Sequence, residues 1–597
     1  MGALGLGQAL SGGMAGRRHA GGGVAAMLAP ALALLILGYA APMGAIAWTS
    51  LHRGGTMGLA AYAEVLGSPT FFRILGGTLQ TAAVVTLLCV VLGYPFAYLV
   101  ATRGRRHAGL LLALVAVPYL TSILIRSYAW IAILGGNGLV NRTLLALALI
   151  DEPLPLVFNA MGSYIGMVHV LLPMVVLPIY AAMRRIDPAL PLAARNLGAS
   201  SPAVFATVYL PLSAPGLAAG GVLVFLSALG FYITPALLGA PNDYLLAQAI
   251  EVRVAVLAEF DTAAAQACVL LALVGGLMLL FRRRIAGLAE GEDIVAAPER
   301  TRAGAGLRRR TLGAMLQRAP RLRALLAALA DRMGACSGPA LWTFGLLLLA
   351  FLLAPIVVVA LVAFSSAPYL AFPPPGLSLR WVEAFLDDRR WLEAAAFSLA
   401  ASLVAAATAV AVATPLAFAL ARRRFRGRQF LWLLAVSPMI VPHIVIGLGL
   451  FFTFVTVGLN GHPASFWIAY TVTGIPYVVI IMLSALRRLD VDLERAAASL
   501  GAHPLATLRT VTLPLLAVAI VSAFLFAFLT AFDDLVIALF LSSPRGTTLA
   551  MRMWEDIRLE ISPKTAVVGV LEIAVLVATM LGTALVQRLR RTGYRAA

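Results

Sequence analysis

The sequence predicts an all-α polytopic membrane protein of about twelve transmembrane helices, built as two similar halves. Its residues are 61% hydrophobic and only 12% charged, whereas soluble domains carry roughly 25% charged residues. The apolar residues form long runs, and the stretch 429–486 contains no Asp, Glu, Lys or Arg. One nineteen-residue segment also occurs twice, at 193–211 and 496–514, with ten identities and no gaps.

Each predicted span is an apolar run of about 20 residues, which suffices to cross a bilayer as a helix. Helices satisfy their own backbone hydrogen bonds, as the hydrocarbon core requires. The predicted spans are 27–49, 76–101, 109–135, 163–183, 215–238, 264–281, 341–365, 394–421, 429–458, 465–486, 516–541 and 565–587. The first run is too long for the apolar region of a secretory signal, so we expect an uncleaved span.

The positive charges predict the orientation. The formal net charge is +19, and the arginine clusters lie just outside apolar runs, which indicates a membrane protein rather than nucleic-acid binding. The clusters occupy the even-numbered inter-span positions, namely 17–18, 103–106, 184–185, 282–284, 422–428, 487–488 and 588–591. Both termini and the basic loops are therefore expected in the cytoplasm, with membrane lipid around the spans.

The repeat divides the chain into two parallel modules. We predict a first module at 1–281, a basic cytoplasmic linker at 282–340 and a second module at 341–597. An even number of spans per module inserts both with the same polarity. The linker contains an amphipathic stretch that is also compatible with a helix on the membrane surface. Cys89, Cys268 and Cys336 show no spacing of a disulfide framework or a metal site.

The repeated segment has a defined spacing of small residues. Two alanines are followed four residues later by a glycine, and a proline follows thirteen residues after that. The alanine and glycine share one helical face and leave room for close backbone approach. The residues concerned are Ala193, Ala194, Gly198 and Pro211 in the first copy, and Ala496, Ala497, Gly501 and Pro514 in the second.

This pattern resembles the EAA loop of ABC importer permeases of the MetI-like fold, which reads roughly E-A-A-x-x-x-G, nine residues, I-x-L-P. Leu192 and Arg495 stand where that family has its glutamate, and Glu494 lies one position early and is a candidate substitute. The EAA-like loops therefore span 192–211 and 494–514. The resemblance implies a coupling helix that docks on an ATPase subunit, a bacterial inner-membrane location and a periplasmic substrate-binding protein.

The chain itself has no P-loop for ATP. That motif needs a Gly-Lys pair, and the only lysine, Lys564, follows Pro563. ATP and Mg²⁺ are thus expected on a partner ATPase, in two copies because there are two loops. We expect no directly bound cofactor and no enzyme activity in this chain.

Further stretches are similar to the two spermidine/putrescine permeases, here joined in one chain: 124–130, 230–243 and 531–563. Related permeases carry ferric iron, thiamine, phosphonates or opines, so the substrate stays open at this point. Asp533 and Asp534 are predicted inside the eleventh span, where carboxylates are expensive and usually functional. The alternatives for them are capping of a broken helix or pairing with a buried cation such as Arg126.

Tyr232 and Trp554 are the aromatic candidates for the substrate path, since aromatic rings stack on ammonium groups. Aromatic side chains also pack or anchor spans at the membrane interface. Two rival functions remain: a ferric-iron ABC permease and an ion-driven secondary transporter. The second would leave the duplicated loops without a purpose.

Overall fold

The computed structural model describes residues 27–119, 121–240, 243–289, 338–423, 425–544, 546–575 and 577. The N-terminal arginine pair, most of the predicted linker and the C-terminal basic cluster lie outside these ranges. Within them the chain is helical apart from a two-residue hairpin, β1 (His52–Arg53) and β2 (Thr56–Met57). Among these described residues, ten helices are long and apolar enough to cross a membrane, and one bent pair is an eleventh candidate. The chain is therefore a multi-pass membrane protein.

The described residues of the first half form thirteen α-helices. They are α1 (Met27–Leu51), α2 (Ala60–Gly67), α3 (Pro69–Thr102), α4 (Ala108–Tyr119), α5 (Ile123–Leu134), α6 (Leu139–Ala146), α7 (Ala160–Arg184), α8 (Ala189–Asn196), α9 (Ser201–Val204), α10 (Leu210–Leu229), α11 (Ile233–Leu238), α12 (Leu246–Ala255) and α13 (Phe260–Ala289). A π-helical turn, Phe205–Tyr209, joins α9 to α10.

The second half repeats this order except that its described residues contain no counterpart of α6. Its helices are α14 (Gly338–Val362), α15 (Arg380–Leu386), α16 (Arg389–Arg422), α17 (Arg428–Val436), α18 (His443–Thr456), α19 (Pro463–Arg488), α20 (Val491–Ser499), α21 (Pro504–Thr507), α22 (Leu513–Phe532), α23 (Val536–Leu541), α24 (Leu549–Leu559) and a last helix, α25, at 564–575. A π-helical turn, Leu508–Thr512, again precedes the long helix. It lies 303 residues after its counterpart, the same offset as the repeated segment.

Each half has a core of three long helices. In the first half α3, α7 and α10 pack together, and in the second half α16, α19 and α22 do so. Glycine permits the closest approaches: a Cβ on Gly220 of α10 would lie 3.0 Å from the Cα of Val175 on α7. Small residues let helix backbones meet in a membrane, where lipid supplies no hydrophobic drive between helices.

The first span of each half packs against the other half. Helix α1 lies on α18, where a Cβ on Gly449 would be 2.7 Å from the carbonyl oxygen of Pro42. Helix α14 lies on α5 in the same way, and α25 joins it, since a Cβ on Gly569 would be 2.8 Å from the side chain of Ile125. This exchange ties the two halves into one bundle.

Four predicted spans are broken rather than continuous. The run 109–135 divides into α4 and α5, and 429–458 divides into α17 and α18, whose axes differ by 98°. The runs 215–238 and 516–541 end at Leu229 and Phe532 and resume as the short helices α11 and α23. Hydropathy could not detect these breaks, because the residues on both sides of each break are apolar.

Candidate functional site

The two repeated segments adopt the same local structure, and the surface they form is here called the coupling face after the role that the sequence predicts for it. An aspartate precedes each helix: Asp187, two residues before α8, accepts from the amide of Ala189, and Asp490, the residue before α20, accepts from the amide of Asp492, both at 2.9 Å. A carboxylate here satisfies an otherwise free N–H and is favoured by the helix dipole. Helices α8 and α20 therefore begin in the same way.

Both helices end in a Schellman motif. The amide of Ala199 donates to the carbonyl of Ala194, and the amide of Ala502 donates to that of Ala497, each at 3.0 Å. Gly198 and Gly501 occupy the position after the cap with φ of +84° and +86°. This is the left-handed conformation that glycine adopts without steric cost. The spacing of alanine and glycine in the sequence thus corresponds to a sharp helix end.

The tip of each segment exposes one leucine. Leu197 is 88% exposed and Leu500 is 89% exposed, and nothing lies within 4 Å of a Cβ placed on either neighbouring glycine. Of the other predicted coupling residues, Ala193 and Ala496 are exposed, Ala194 is half-buried and Ala497 is buried. Pro211 and Pro514 lie at the start of α10 and α22, behind the tips.

The anchoring of the two segments to the bundle differs. Glu494 accepts a hydrogen bond from Thr512 Oγ1 at 3.3 Å and lies 3.6 Å from Arg422 Nη2 at the end of α16. Arg422 also donates to the carbonyl of Leu489 at 3.2 Å. The second segment is therefore held by a polar network around Glu494. Sequence analysis identified Glu494 but not its partners, Thr512 within the same segment and Arg422 on a different helix.

The first segment is held by aromatic rings instead. Tyr98 of α3 makes edge contacts with Phe205 at 5.4 Å and with Tyr209 at 5.1 Å between ring centroids. Phe205 also meets Tyr94 at 5.7 Å. Tyr209 occupies the repeat position of Thr512, so an aromatic contact replaces a hydrogen bond to a carboxylate.

The two aspartates of the predicted path lie in the break between α22 and α23, not inside a helix. Asp534 caps α23, since its Oδ1 accepts from the amide of Ile537 at 2.7 Å. Its Oδ2 lies 2.9 Å from Nδ1 of His443, the first residue of α18. Aspartate favours such cap positions over helix interiors, which explains why the eleventh span ends here.

Asp533 reaches the other half. Its Oδ2 accepts from the amide of Ile123, the first residue of α5, at 3.2 Å. The Arg126 side chain, buried one turn further along α5, attracts Asp533 electrostatically. Of the alternatives considered for the aspartates, the structure shows hydrogen bonds to the starts of α5 and α23, while Arg126 contributes only a favourable charge nearby. Among the described residues no group of three or more His, Cys, Asp or Glu has the geometry of a metal site.

Tyr232 and Trp554 meet each other between the halves, on the side opposite the coupling face, here called the distal face. Their ring centroids are 5.7 Å apart and both residues are 3% exposed. The structure thus separates the predicted residues into three places: the coupling face, the helix breaks and the distal face. The structure also places two further residues beside the aromatic pair, Glu251 and Arg558, which the sequence did not single out as site residues.

Comparisons with known proteins identify a family. The model described as "Binding-protein-dependent transport system inner membrane component" matches residues 412–592. The spermidine/putrescine transport system permease protein PotB of Salmonella typhimurium strain SL1344 is 38% identical over 227 residues, 38% of this chain and 78% of that protein. The putrescine transport system permease protein PotI of Escherichia coli K12 is 34% identical over 232 residues, 37% of this chain and 82% of that protein.

Among solved structures, the chain resembles one in a bacterial ABC transporter involved in the import of the acidic polysaccharide alginate. The TM-score is 0.33 at 17% identity, covering 43% of this chain and 97% of that one.

Proposed function

The chain belongs to the family of binding-protein-dependent transport system inner membrane components, and on that premise we propose that it is the fused permease of an ATP-driven importer of polyamine-like organic cations. Its relatives are transport components rather than enzymes. The family works with an ATPase and a substrate-binding protein in general. We propose, in addition, the number of partner subunits, the orientation of the chain in the membrane and the substrate.

The two coupling segments support the assignment of partners. Each ends in a rigid turn that presents an almost fully exposed leucine, 88% and 89% in the two copies. An exposed apolar side chain on a capped helix end fits a hydrophobic recess on another protein. We therefore assign one cytoplasmic ATPase subunit to each segment, two in all. These subunits bind ATP and Mg²⁺, and this chain needs no cofactor of its own.

The coupling face is cytoplasmic in this proposal, as the arginine clusters indicate. The binding protein then delivers substrate to the distal face. Closure of the ATPase pair draws the two segments together, and the halves alternate between openings on the two sides of the bundle. Such rocking of packed bodies about an interface is an established form of alternating access.

The substrate assignment rests on one observation, the similarity to permeases named for spermidine and putrescine over 78% and 82% of their lengths. The breaks between α4 and α5 and between α22 and α23 are consistent with it. Irregular backbone in a membrane protein occurs where it is buried in protein or lines a cavity. Asp533 lies at both breaks, and an ammonium group would compensate its charge.

The test is a titration of the partner binding protein with putrescine, spermidine, ferric iron and a neutral sugar, followed by ATP-dependent uptake into proteoliposomes. We expect tight binding of a polyamine and uptake that requires ATP. Binding of ferric iron instead would contradict the polyamine assignment and favour the rival, a ferric-iron ABC permease. Uptake that depends on a proton gradient and does not require ATP would contradict the assignment as an ATP-driven importer.

A further inference from the structure

Two short helices face each other across the distal end of the bundle. Helix α12 of the first half and α24 of the second are repeat counterparts, offset by 303 residues like the coupling segments. Both are fixed at their first residue by a hydroxyl group: Leu246 donates to Thr78 at 2.9 Å, and Leu549 donates to Ser398 at 2.6 Å. Their positions are therefore set by the core helices α3 and α16.

Four side chains from the two halves meet at these helices. Tyr232 and Glu251 belong to the first half, and the tyrosine hydroxyl lies close enough to the carboxylate to lower its pKa. Trp554 of the second half lies against Tyr232 with a ring separation of 5.7 Å. Arg558, one turn further along α24, places its guanidinium carbon 5.4 Å from the Trp554 ring centroid.

The Arg558 guanidinium compensates an unfavourable charge. Glu251 lies outside the ten continuous spans, and its burial raises the pKa of its carboxyl, an effect that the nearby Arg558 opposes. A half-buried carboxylate needs a cation or a set of hydrogen-bond donors. Arg558 is the cation whose charge lowers the pKa of this carboxyl, and the arginine is itself exposed to solvent.

Two aromatic rings and a carboxylate are the groups that bind organic ammonium ions. We propose that Tyr232, Glu251 and Trp554 form a cation site across the distal interface, in which Arg558 takes the place of the substrate's ammonium group. The substrate class rests on the proposed function. The site itself is distinct from Asp533, since it is built on α12 and α24 at the distal end rather than on the helix breaks.

The position of the site between the halves gives it a role in opening. When the distal face opens, Tyr232 and Glu251 move with one half and Trp554 and Arg558 with the other. The Glu251 carboxylate then loses the favourable charge of Arg558 while it is still half-buried. An arriving ammonium group replaces Arg558 at Glu251, so a cationic substrate stabilises the open form by its differential affinity for that form.

The test measures equilibrium binding of radiolabelled putrescine to the reconstituted permease–ATPase complex, without binding protein. Glu251→Gln is expected to weaken putrescine binding about two- to fivefold, the size expected for a partly exposed charge pair. Arg558→Gln removes the internal competitor and is expected to tighten binding by a similar factor. Arg558→Lys keeps the charge and is expected to behave as the unmodified chain.

Arg552→Gln is the matched control, because Arg552 lies on the same helix and pairs with Glu555 at 3.0 Å. It should leave putrescine binding unchanged. Thermal unfolding of every variant identifies any that fails to fold. Equal changes in the same direction for Glu251→Gln and Arg558→Gln would indicate a structural ion pair and overturn the proposal, as would absence of putrescine binding in all variants.

The outcome is separable from that of the proposed function. A binding protein that takes ferric iron would overturn polyamine import, whereas the opposite shifts of the two variants with putrescine as probe would still demonstrate the cation site.

Discussion

The amide of Ile123 lies 3.2 Å from the carboxylate of Asp533, although 410 residues separate the two in the chain. The repeat relates Asp533 to Gly230 and Ile123 to His443, the first residue of α18, and in the second place Gly230 meets Pro442, the residue before His443. A Cβ on Gly230 would lie 2.4 Å from Cβ of Pro442. One half therefore uses a charged cap and the other a close backbone approach at the same place in the pseudo-symmetric interface.

Replacement of Gly230 should disturb this interface. Gly230→Ala places a methyl group where only glycine fits, and overpacking of this kind costs about 1–3 kcal/mol. We expect a lower midpoint of thermal unfolding in detergent. Gly221→Ala on α10, which ends just before Gly230, is the control, since the nearest neighbour of the added Cβ would be 3.9 Å away. Equal midpoints for the two variants would contradict the close contact.

Replacement of Asp533 by asparagine distinguishes the effect of its negative charge from that of its hydrogen bond to Ile123. Asp533→Asn retains an oxygen that accepts from Ile123 and removes the negative charge. If the charge contributes to a cation path, uptake should fall about tenfold, the effect of roughly 1.4 kcal/mol, with little change in thermal stability. Asp533→Ala should lower stability as well. Unchanged uptake by the asparagine variant would assign Asp533 to capping alone.

The exposed leucines should control attachment of the ATPase. Burial of a leucine contributes about 1.5–3 kcal/mol, so Leu500→Ser should weaken ATPase binding roughly ten- to hundredfold. The isolated chain should keep its stability, because Leu500 is 89% exposed. Leu197→Ser is expected to act in the same way.

The control for this experiment is Leu559→Ser. Leu559 is 86% exposed but lies at the end of α24 on the distal face. Its variant should bind the ATPase normally in a pull-down with purified components. A similar loss of ATPase binding for Leu559→Ser would contradict the prediction that the ATPase binds at Leu197 and Leu500.

The two coupling segments should respond differently to salt. The Arg422–Glu494 pair is about one-fifth exposed on each side, and salt screens partly exposed charges, whereas ring contacts such as Tyr98–Tyr209 are not screened. Hydrogen exchange of α20 should therefore accelerate between low and high salt, and that of α8 should not. Glu494→Gln should remove the salt dependence of α20, and persistence of that dependence would contradict the anchor.

Several features were predictable because they are local. Long apolar runs predict spans, and the membrane class and the family are both confirmed. The duplicated alanine–glycine spacing indicated a helix with a sharp end, since only glycine adopts φ of +84° or +86° at that position without cost. The coupling roles of these residues and the module boundaries stay predictions.

Only the tertiary structure decided where the spans break and what each break contacts. Asp533 was expected inside a helix and lies at its end, because hydropathy does not distinguish a broken apolar helix from a continuous one. Its partner Ile123, the Arg422–Glu494 anchor and the Glu251–Arg558 pair join residues distant in sequence, and no local pattern specifies such pairs. The sequence by itself determined which segments enter the membrane, because transfer of a side chain depends mainly on its own chemistry. Packing between the halves determined which polar groups face one another, because a buried polar group must find its partner wherever the fold provides one.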